Sequence, residues 1–337
     1  MCGIAGIIQQ HSLYTAADVA KMGEAIRHRG PDGVGSWENE SSTVLFGQRR
    51  LAIIDLSDAA RQPFHFLDRY VALHNGEIYN YVELKQELAQ RGYAFTTRSD
   101  TEVLVAAYDC WNADCVHHFD GMFAFTIWDR KTRELFAARD RFGEKPFYYN
   151  FNRDEGSFLF ASEIKAFWPL NKGRTLNRRM LFNFLTIGYT DNPEQPGETF
   201  YEEIEKLPAA SWLRLSADVK TLTIQRYWNV DPNKTATAGD AQDTERFAAL
   251  FTHSVQNRLR SDVGWGCTLS GGLDSSSVTA VAASSQAGIR TKTFSILFPG
   301  FEKNEQPHLD AATQHLPLES FTTELPDTVV ASTFEKV

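Results

Sequence analysis

The first residue able to do chemistry is Cys2, in the stretch Met1-Cys2-Gly3-Ile4-Ala5-Gly6. A cysteine in second place becomes an N-terminal nucleophile once the initiator methionine is trimmed. Trimming is expected, because the pocket that performs it admits small second residues. The thiolate could then attack a carbonyl. The adjacent α-amine, with a reference pKa of about 7.7–8.0 against about 8.5 for a thiol, could take or relay its proton. No distant histidine is required. Taken alone, Cys2 reads better as a small apolar residue opening a buried strand.

A second candidate lies in Val71-Ala72-Leu73-His74-Asn75-Gly76-Glu77-Ile78-Tyr79-Asn80, where an apolar strand runs into Asn-Gly and then a carboxylate. Asn-Gly ordinarily marks a tight turn. In a site, the Asn75 side chain and the Gly76 N–H are two donors aimed at one point, as an oxyanion hole requires. Arg50 beside a buried segment reads as a surface residue extending its stem, and Asp100 in Ser99-Asp100-Thr101-Glu102 as a helix N-cap. Arg27-His28-Arg29-Gly30-Pro31-Asp32 reads on its own as a solvated loop. The alternating charges of Arg139-Asp140-Arg141 and Glu144-Lys145 read as structural ion pairing. Ser270-Gly271-Gly272-Leu273-Asp274-Ser275 stands between a strand-like segment and a small-residue helix, which is phosphate-binding architecture.

The elements that must position these residues fall into two halves. In a chain of 337 residues, 42% hydrophobic, a core and about two domains can form. Gly3 to Ile8 reads as a buried strand that carries Cys2, followed by a helix over Ala16 to Ile26. Further strands are expected at Gly35 to Trp37, Thr43 to Gly47 and Leu51 to Ile54. Helices are expected at Tyr81 to Arg91 and Thr101 to Trp111. From Gly121 a second sheet is expected, built from Met122 to Asp129, Leu135 to Arg139, Lys145 to Asn150 and Ser157 to Ala161. Short helices near Glu163 to Phe167 and Arg178 to Leu185, then strands at Ser211 to Leu215 and Arg226 to Val230, close this half. The pattern predicts an α+β four-layer αββα sandwich. A polar stretch over 229–243 reads as a linker, separating domains at 1–228 and 244–337. Beyond it come a helix at Thr244 to Arg260, a strand segment at Val263 to Leu269, the glycine loop, a helix at Ser277 to Ser284 and a strand at Thr293 to Phe298.

Composition excludes several classes of function. The formal charge of −9 and pI near 5.5 leave no basic footprint for nucleic acid. Four scattered cysteines, Cys2, Cys110, Cys115 and Cys267, make no disulfide framework and fit a reducing cytosol. Cys110 and Cys115 with His117 and His118 could offer metal ligands, but a buried helix end is the better reading and no structural metal is assigned. The apolar run Gly3 to Ile8 is too short for a secretory core or membrane span, so a cytoplasmic protein without a targeting signal is expected.

Together these stretches resemble the glutaminase domain of the glutamine-dependent asparagine synthetase family, in the N-terminal-nucleophile amidohydrolase class. The resemblance runs through Met1-Cys2-Gly3-Ile4, Arg27 to Asp32, Arg50-Leu51-Ala52-Ile53-Ile54-Asp55, Asn75 to Asn80, Ser99 to Glu102, Gly121-Met122-Phe123-Ala124-Phe125 and Arg139-Asp140. It implies that Cys2 attacks the side-chain amide of glutamine, that Asn75 and Gly76 hold the oxyanion, and that the Arg50 fork binds the α-carboxylate. Glu77 and Asp100 would receive the α-ammonium, and Arg50 to Ile54 would line the pocket with backbone.

Ser270 to Ser275 resembles the pyrophosphatase loop of ATP-adenylating enzymes, since the lysine of the Gly-Lys-Ser/Thr loop is absent. The resemblance implies ATP as a substrate converted to AMP and pyrophosphate. Leu269 and Ile296 would lie against the adenosine, Ser270, Gly271, Gly272, Asp274 and Ser275 on the phosphates, and Asp274 near Mg²⁺. The family more often has Gly where Leu297 stands here. The implied product is asparagine, made from aspartate through a β-aspartyl adenylate, with no nucleic-acid or membrane partner and with a homodimer allowed. After residue 240 only about three strand-helix units are found. The chain therefore reads as a glutaminase domain plus the N-terminal part of a doubly wound α/β synthetase domain, a fragment that retains only the glutaminase step. Two alternatives stand beside this reading: an amidotransferase of the same architecture acting on another carboxylate, and a regulatory module without catalysis.

Overall fold

The computed structural model describes residues 2–233, 241–285, 288, 290–298, 300 and 305–324. Residues 234–240 of the expected linker, and those from 325 onward, lie outside the described residues. The chain divides into two compact units, Met1–Asn233 and Lys234–Val337.

The first unit is built on β1 (Gly3–Gln9), which is buried at every position. Its side chains alternate between two cores. Ile4 and Ile8 enter one apolar cluster, while Ala5 and Ile7 enter another with Val19 and Met22 of α1 (Ala16–Ala25). Both edges of β1 are paired as well, with β3 (Val44–Arg50) on one side and β9 (Ser157–Ala161) on the other. Gly6 permits that crowding, since a Cβ there would lie 2.3 Å from the Phe160 ring. With β2 (Gly33–Glu38), β8 (Tyr148–Asn152) and β10 (Glu205–Lys206), this sheet runs in the order β10-β8-β9-β1-β3-β2.

The other six-stranded sheet contains β4 (Phe64–Phe66), β5 (Tyr70–Ile78), β6 (Gly121–Asp129), β7 (Glu134–Arg139), β11 (Ser211–Leu215) and β12 (Leu222–Arg226), in the order β12-β11-β7-β6-β5-β4. Period-two alternation sorts its side chains. Val71 and Leu73 of β5 join the cluster that also holds Ile4, Phe46 and Phe160 of the first sheet. Tyr70, Ala72 and Ile78 join a separate cluster with α2 (Tyr81–Gln90) and α3 (Asp100–Trp111). The remaining helices are α4 (Cys115–His118), a 3-10 helix over Ile164–Leu170 and α5 (Arg178–Ile187).

The strands after Gly121 do not form one sheet as expected. β6 and β7 pair with β5, whereas β8 and β9 cross back to β1. Two features cause the crossing. The buried β1 leaves an edge whose N–H and C=O groups β9 pairs, and the loop leaving β7 is gathered on a buried carboxylate. Asp140 accepts the N–H groups of Phe123 at 3.2 Å, Phe142 at 3.1 Å, and Glu144 and Lys145 at 2.9 Å each. Arg139 donates to the carbonyls of Lys145 at 2.7 Å, Gly143 at 2.6 Å and Leu207 at 2.8 Å. These charges thus organise backbone where ion pairing was expected.

Other expectations shift in similar ways. Leu51 to Ile54 is a loop, because β3 ends at Arg50. The last strand of the second sheet covers 222–226 and not 226–230, since its register is set by Leu215↔Leu222 across the turn.

In the second unit, α6 (Ala241–Arg258) precedes a parallel three-stranded sheet, β13 (Cys267–Thr268), β14 (Thr291–Leu297) and β15 (Leu318–Glu324). β13 is much shorter than the expected 263–269 segment. The crossovers are α7 (Leu273–Ser284) and α8 (Gln306–His315), around a small core of Leu269, Ala283, Leu309 and Leu318. Phe294 and Ile296 on β14 are 50% and 52% exposed, although parallel sheets ordinarily bury both faces.

Asp140→Ala would leave the backbone donors gathered by this buried carboxylate without their acceptor, at a cost of about 2–4 kcal/mol. Thermal denaturation of the variant should show a midpoint lower by about 5–15 °C. An unchanged midpoint would show that the carboxylate does not hold the crossing.

Candidate active site

The sulfur of Cys2 is placed by the pairing of β1 with β3. The register Gly3↔Arg49 brings the chain beyond β3 past Cys2, whose Sγ lies 3.4 Å from the Leu51 N–H and 3.5 Å from the Leu51 carbonyl. The backbone of Cys2 is held separately. Arg29, buried where a solvated loop was expected, donates from Nε to the Cys2 carbonyl at 2.9 Å and from Nη1 to Glu163 at 2.8 Å. The signal for this in sequence was Gly30, where a Cβ would lie 2.2 Å from the Arg49 backbone. Of the expected lining Leu51 to Ile54, the Leu51 backbone meets the sulfur, while the Ala52 N–H donates to Asp32 and Ile54 is buried.

Asn75 and Gly76 are not a turn. Both lie within β5, where Gly76 pairs with Phe123. Gly76 has φ of +152°, and a Cβ there would approach the Met122 carbonyl to 2.0 Å, so glycine is required sterically as well as conformationally. Asn75 is fully buried, yet neither Nδ2 nor Oδ1 has a partner. An unpaired buried amide costs about 1–3 kcal/mol, which is unusual unless the group serves a ligand.

Glu77 faces the same side of β5 as Asn75. Asp100 is not the N-cap. That role belongs to Ser99, whose Oγ accepts the Thr101 N–H at 3.1 Å, while Asp100 Oδ2 reaches across to accept the Ile78 N–H at 2.9 Å. Burial pushes the Glu77 carboxyl well above its ordinary range, Asp100 adds to the rise, and Lys145 and Arg50 oppose it. The Cys2 thiol is raised by burial, lowered by its Leu51 hydrogen bond, and raised again by Glu77 and Asp100. Cys2, Arg50, Glu77 and Asp100 therefore share one electrostatic neighbourhood. Arg50 turns its Nη1 to the Ser57 carbonyl at 3.1 Å and its Nη2 to the Asp55 carbonyl, beside a cleft of ≈ 220 Å³ lined by Asp32, Gln48, Ala52 and Gln62. Each nitrogen keeps a second hydrogen for a ligand.

Sequence reasoning missed Lys145 as a cation acting on Glu77, and the buried residues His74 and Gln62 behind the site. A histidine inside an apolar strand is the one signal that could have pointed to them.

In the second unit, Ser270 Oγ and Ser275 Oγ lie 3.0 Å apart across the glycine loop, and α7 starts at Gly272 without a side-chain cap. Gly271 has φ of +84° and packs against His308, where a Cβ would approach to 2.7 Å. Asp274 and Ser275 border a cavity of ≈ 580 Å³ with Phe251, Arg258 and Trp265. Leu269 has its side chain in the core, and Ile296 stands on the open face of β14. Among the described residues no cluster of three or more His, Cys, Asp or Glu could hold a metal. Asp274 by itself does not make a Mg²⁺ site.

A buried thiol, an unpartnered amide and two carboxylates beside an arginine are the parts needed for acyl transfer from the amide of an amino acid. Comparison with known proteins agrees with that class. Residues 1–228 match the glutamine amidotransferase domain family, and residues 246–337 match the asparagine synthase family. The chain is 40% identical over 290 residues to asparagine synthetase [glutamine-hydrolyzing] 3 of Bacillus subtilis, covering 84% of this chain and 45% of that protein. It is 35% identical over 329 residues to the putative asparagine synthetase [glutamine-hydrolyzing] 2 of Methanocaldococcus jannaschii, covering 92% of this chain and 62% of that one. Among solved structures, the glutamine phosphoribosylpyrophosphate amidotransferase from B. subtilis aligns with a TM-score of 0.51 at 16% identity, over 98% of this chain and 70% of that one. At that identity the likeness concerns the fold alone. The chain belongs to the glutamine amidotransferase domain family, and its second part is similar to the asparagine synthases. It spans about half the length of the curated relatives it matches.

Because Glu77 raises the Cys2 thiol, Glu77→Gln should lower that pKa and speed alkylation at pH values where Glu77 is ionised. Peptide mass spectrometry of iodoacetamide-treated protein separates Cys2 from Cys110, Cys115 and Cys267. Slower labelling of Cys2 in the variant would contradict the electrostatic account.

Proposed function

We propose that the first unit hydrolyses glutamine at Cys2 and that, in the parent protein, the ammonia released amidates aspartate in the synthetase domain. The observation that carries this reading is the fully buried Asn75 amide, unpartnered on the β5 face it shares with Glu77, a carboxylate whose charge the Cys2 thiol feels. In this reading the domains are 1–228, a linker at 229–243, and 244–337, and the first is a four-layer αββα sandwich.

With Met1 removed, the α-amine of Cys2 takes the thiol proton that burial otherwise retains. The thiolate adds to the side-chain amide carbon of glutamine. Asn75 Nδ2 and the Gly76 N–H donate to the oxygen that becomes negative. Collapse breaks the C–N bond, the amine returns its proton to the departing nitrogen, and ammonia leaves a thioester on Cys2. Water then releases glutamate and restores the thiol. Arg50 binds the α-carboxylate, Glu77 and Asp100 the α-ammonium, and the Leu51 to Ile54 backbone lines the pocket. The incoming ammonium also resolves the Glu77–Asp100 repulsion, so substrate binding and charge balance are coupled.

For the second unit, the reading takes ATP as the substrate at Ser270, Gly271, Gly272, Asp274 and Ser275, with Leu269 contributing backbone and Ile296 an exposed apolar surface toward adenosine. Adenylation of the β-carboxylate of aspartate would release pyrophosphate, and attack of ammonia on the β-aspartyl adenylate would then give asparagine and release AMP. The described residues do not complete a Mg²⁺ site.

Cys2→Ala should abolish glutamate formation from glutamine, and Asn75→Ala should lower turnover by about 10²–10³. A loss confined to KM in Asn75→Ala would make it a pocket residue and not an oxyanion donor. Assayed with glutamine, aspartate, ATP and Mg²⁺ together, this chain should form glutamate alone. Asparagine and pyrophosphate in step with glutamate would show the second unit to be functionally whole.

A further inference from the structure

Behind the face of β5 that carries Asn75 and Glu77, a buried polar cluster joins three separate elements. Its centre is the Thr101 hydroxyl in the first turn of α3. Thr101 Oγ1 lies 3.2 Å from His74 Nδ1 on β5 and accepts from Gln62 Nε2 at 3.3 Å. Gln62 Oε1 in turn accepts the His74 backbone N–H at 2.6 Å. All three side chains are buried: Gln62 is 8% exposed, and His74 and Thr101 are 2% exposed each.

The placement follows from chain chemistry. β4 pairs with β5 through Phe64↔Ala72, and the next rung would set residue 62 opposite residue 74. Pro63 follows Gln62 and donates no hydrogen bond, so the ladder stops. The Gln62 side chain takes over the rung, satisfying the His74 N–H with its amide oxygen and sending its amide nitrogen on to α3.

A second link between the same two elements is Asp100 Oδ2 to the Ile78 N–H at 2.9 Å. The two links lie at residues 74 and 78, so they bracket Asn75-Gly76-Glu77 on β5. On α3 they involve the adjacent residues Thr101 and Asp100. His74 Nδ1 stands 3.9 Å from Asp100 Oδ2, so the imidazole also limits where that carboxylate can move.

We propose that the Gln62–Thr101–His74 cluster is a positioning device that fixes Asp100 against Glu77, and thereby sets the affinity of the site for the α-ammonium of an amino-acid substrate. The proposal rests on the glutaminase reading above. His74 and Thr101 lie behind the site, and the Gln62 amide is engaged by Thr101 and the His74 N–H. Their effect passes through Asp100, and it should appear in binding and not in the chemical step, which Cys2 and Asn75 perform. Lowering affinity without altering turnover is the kinetic mark of a lost ground-state contact.

Thr101→Val keeps the shape of the side chain and removes the hydroxyl that both partners use, whereas Thr101→Ser keeps the hydroxyl. Glutamine binding is measured by calorimetry in the full chain carrying Cys2→Ala, so that no hydrolysis intervenes, and kcat and KM are measured in the chain with Cys2 present. Thr101→Val should weaken the Kd for glutamine by about ten-fold and raise KM in parallel, with kcat within about two-fold of the parent. Thr101→Ser should restore both. Gln62→Met, which removes the donor of the Gln62–Thr101 bond where Thr101→Val removes its acceptor, should reproduce the Thr101→Val result, and covers the case in which Thr101→Val does not fold.

Unchanged Kd in folded Thr101→Val or Gln62→Met, with only a lower thermal midpoint, would make the cluster structural and overturn the proposal. A fall in kcat at constant KM would overturn it too. If the Cys2→Ala chain binds no glutamine at all, the glutaminase reading itself fails, and the positioning role falls with it.

Discussion

The geometry of the first unit depends on the burial of β1 on both faces and both edges. A strand with Ile4 and Ile8 in one core and Ala5 and Ile7 in another cannot slip by one residue without exchanging those cores. Its register against β3 is therefore fixed, and with it the meeting of Cys2 Sγ and the Leu51 backbone. Cys2 is held next to a strand that is buried throughout and paired on both sides. Arg29 reinforces this by gripping the Cys2 carbonyl.

The cores alone would make an inert scaffold. Function enters where polar groups are buried against that apolar background. Glu77 beside Asp100 favours a proton on Glu77, because burial and like charge both penalise its ionised form. Relative to an unfolded chain, that stabilises the folded state below the ordinary carboxylate range. The contribution is lost as pH rises through the raised value. A bound ammonium reverses the penalty by supplying the missing positive charge. The Asn75 amide is left unpaired in the same setting, so the site holds two unfavourable features that a zwitterion with a side-chain amide would relieve together.

The second unit has the opposite balance. Its sheet is parallel, its core is small, and Phe294, Ile296 and Val278 are exposed. Phe294 and Phe321 stack at 5.3 Å on an otherwise open face. The glycine loop and the uncapped start of α7 are formed despite this, because they depend on local backbone geometry at Gly271 and Gly272 and not on completion of the sheet.

Sequence alone determined the residues whose chemistry is local or covalent: a thiol in second place, the strand that carries it, the amide and carboxylate of Asn75 and Glu77, the glycine loop, and an α+β first half. Period-two burial and short-range turn chemistry make such features legible. Tertiary structure decided what depends on register and crossing. It moved β8 and β9 into the sheet of β1, because the buried β1 needs its edge N–H and C=O groups paired and Asp140 turned the chain toward it. It turned the expected Asn-Gly corner into mid-strand, because Gly121 and Gly76 let β5 and β6 approach where any Cβ would strike a carbonyl. It passed the N-cap to Ser99 and sent Asp100 to Ile78, and it buried Arg29, Gln62 and His74. Side chains that bond to backbone far along the chain leave no periodic trace, so only the folded arrangement could reveal them.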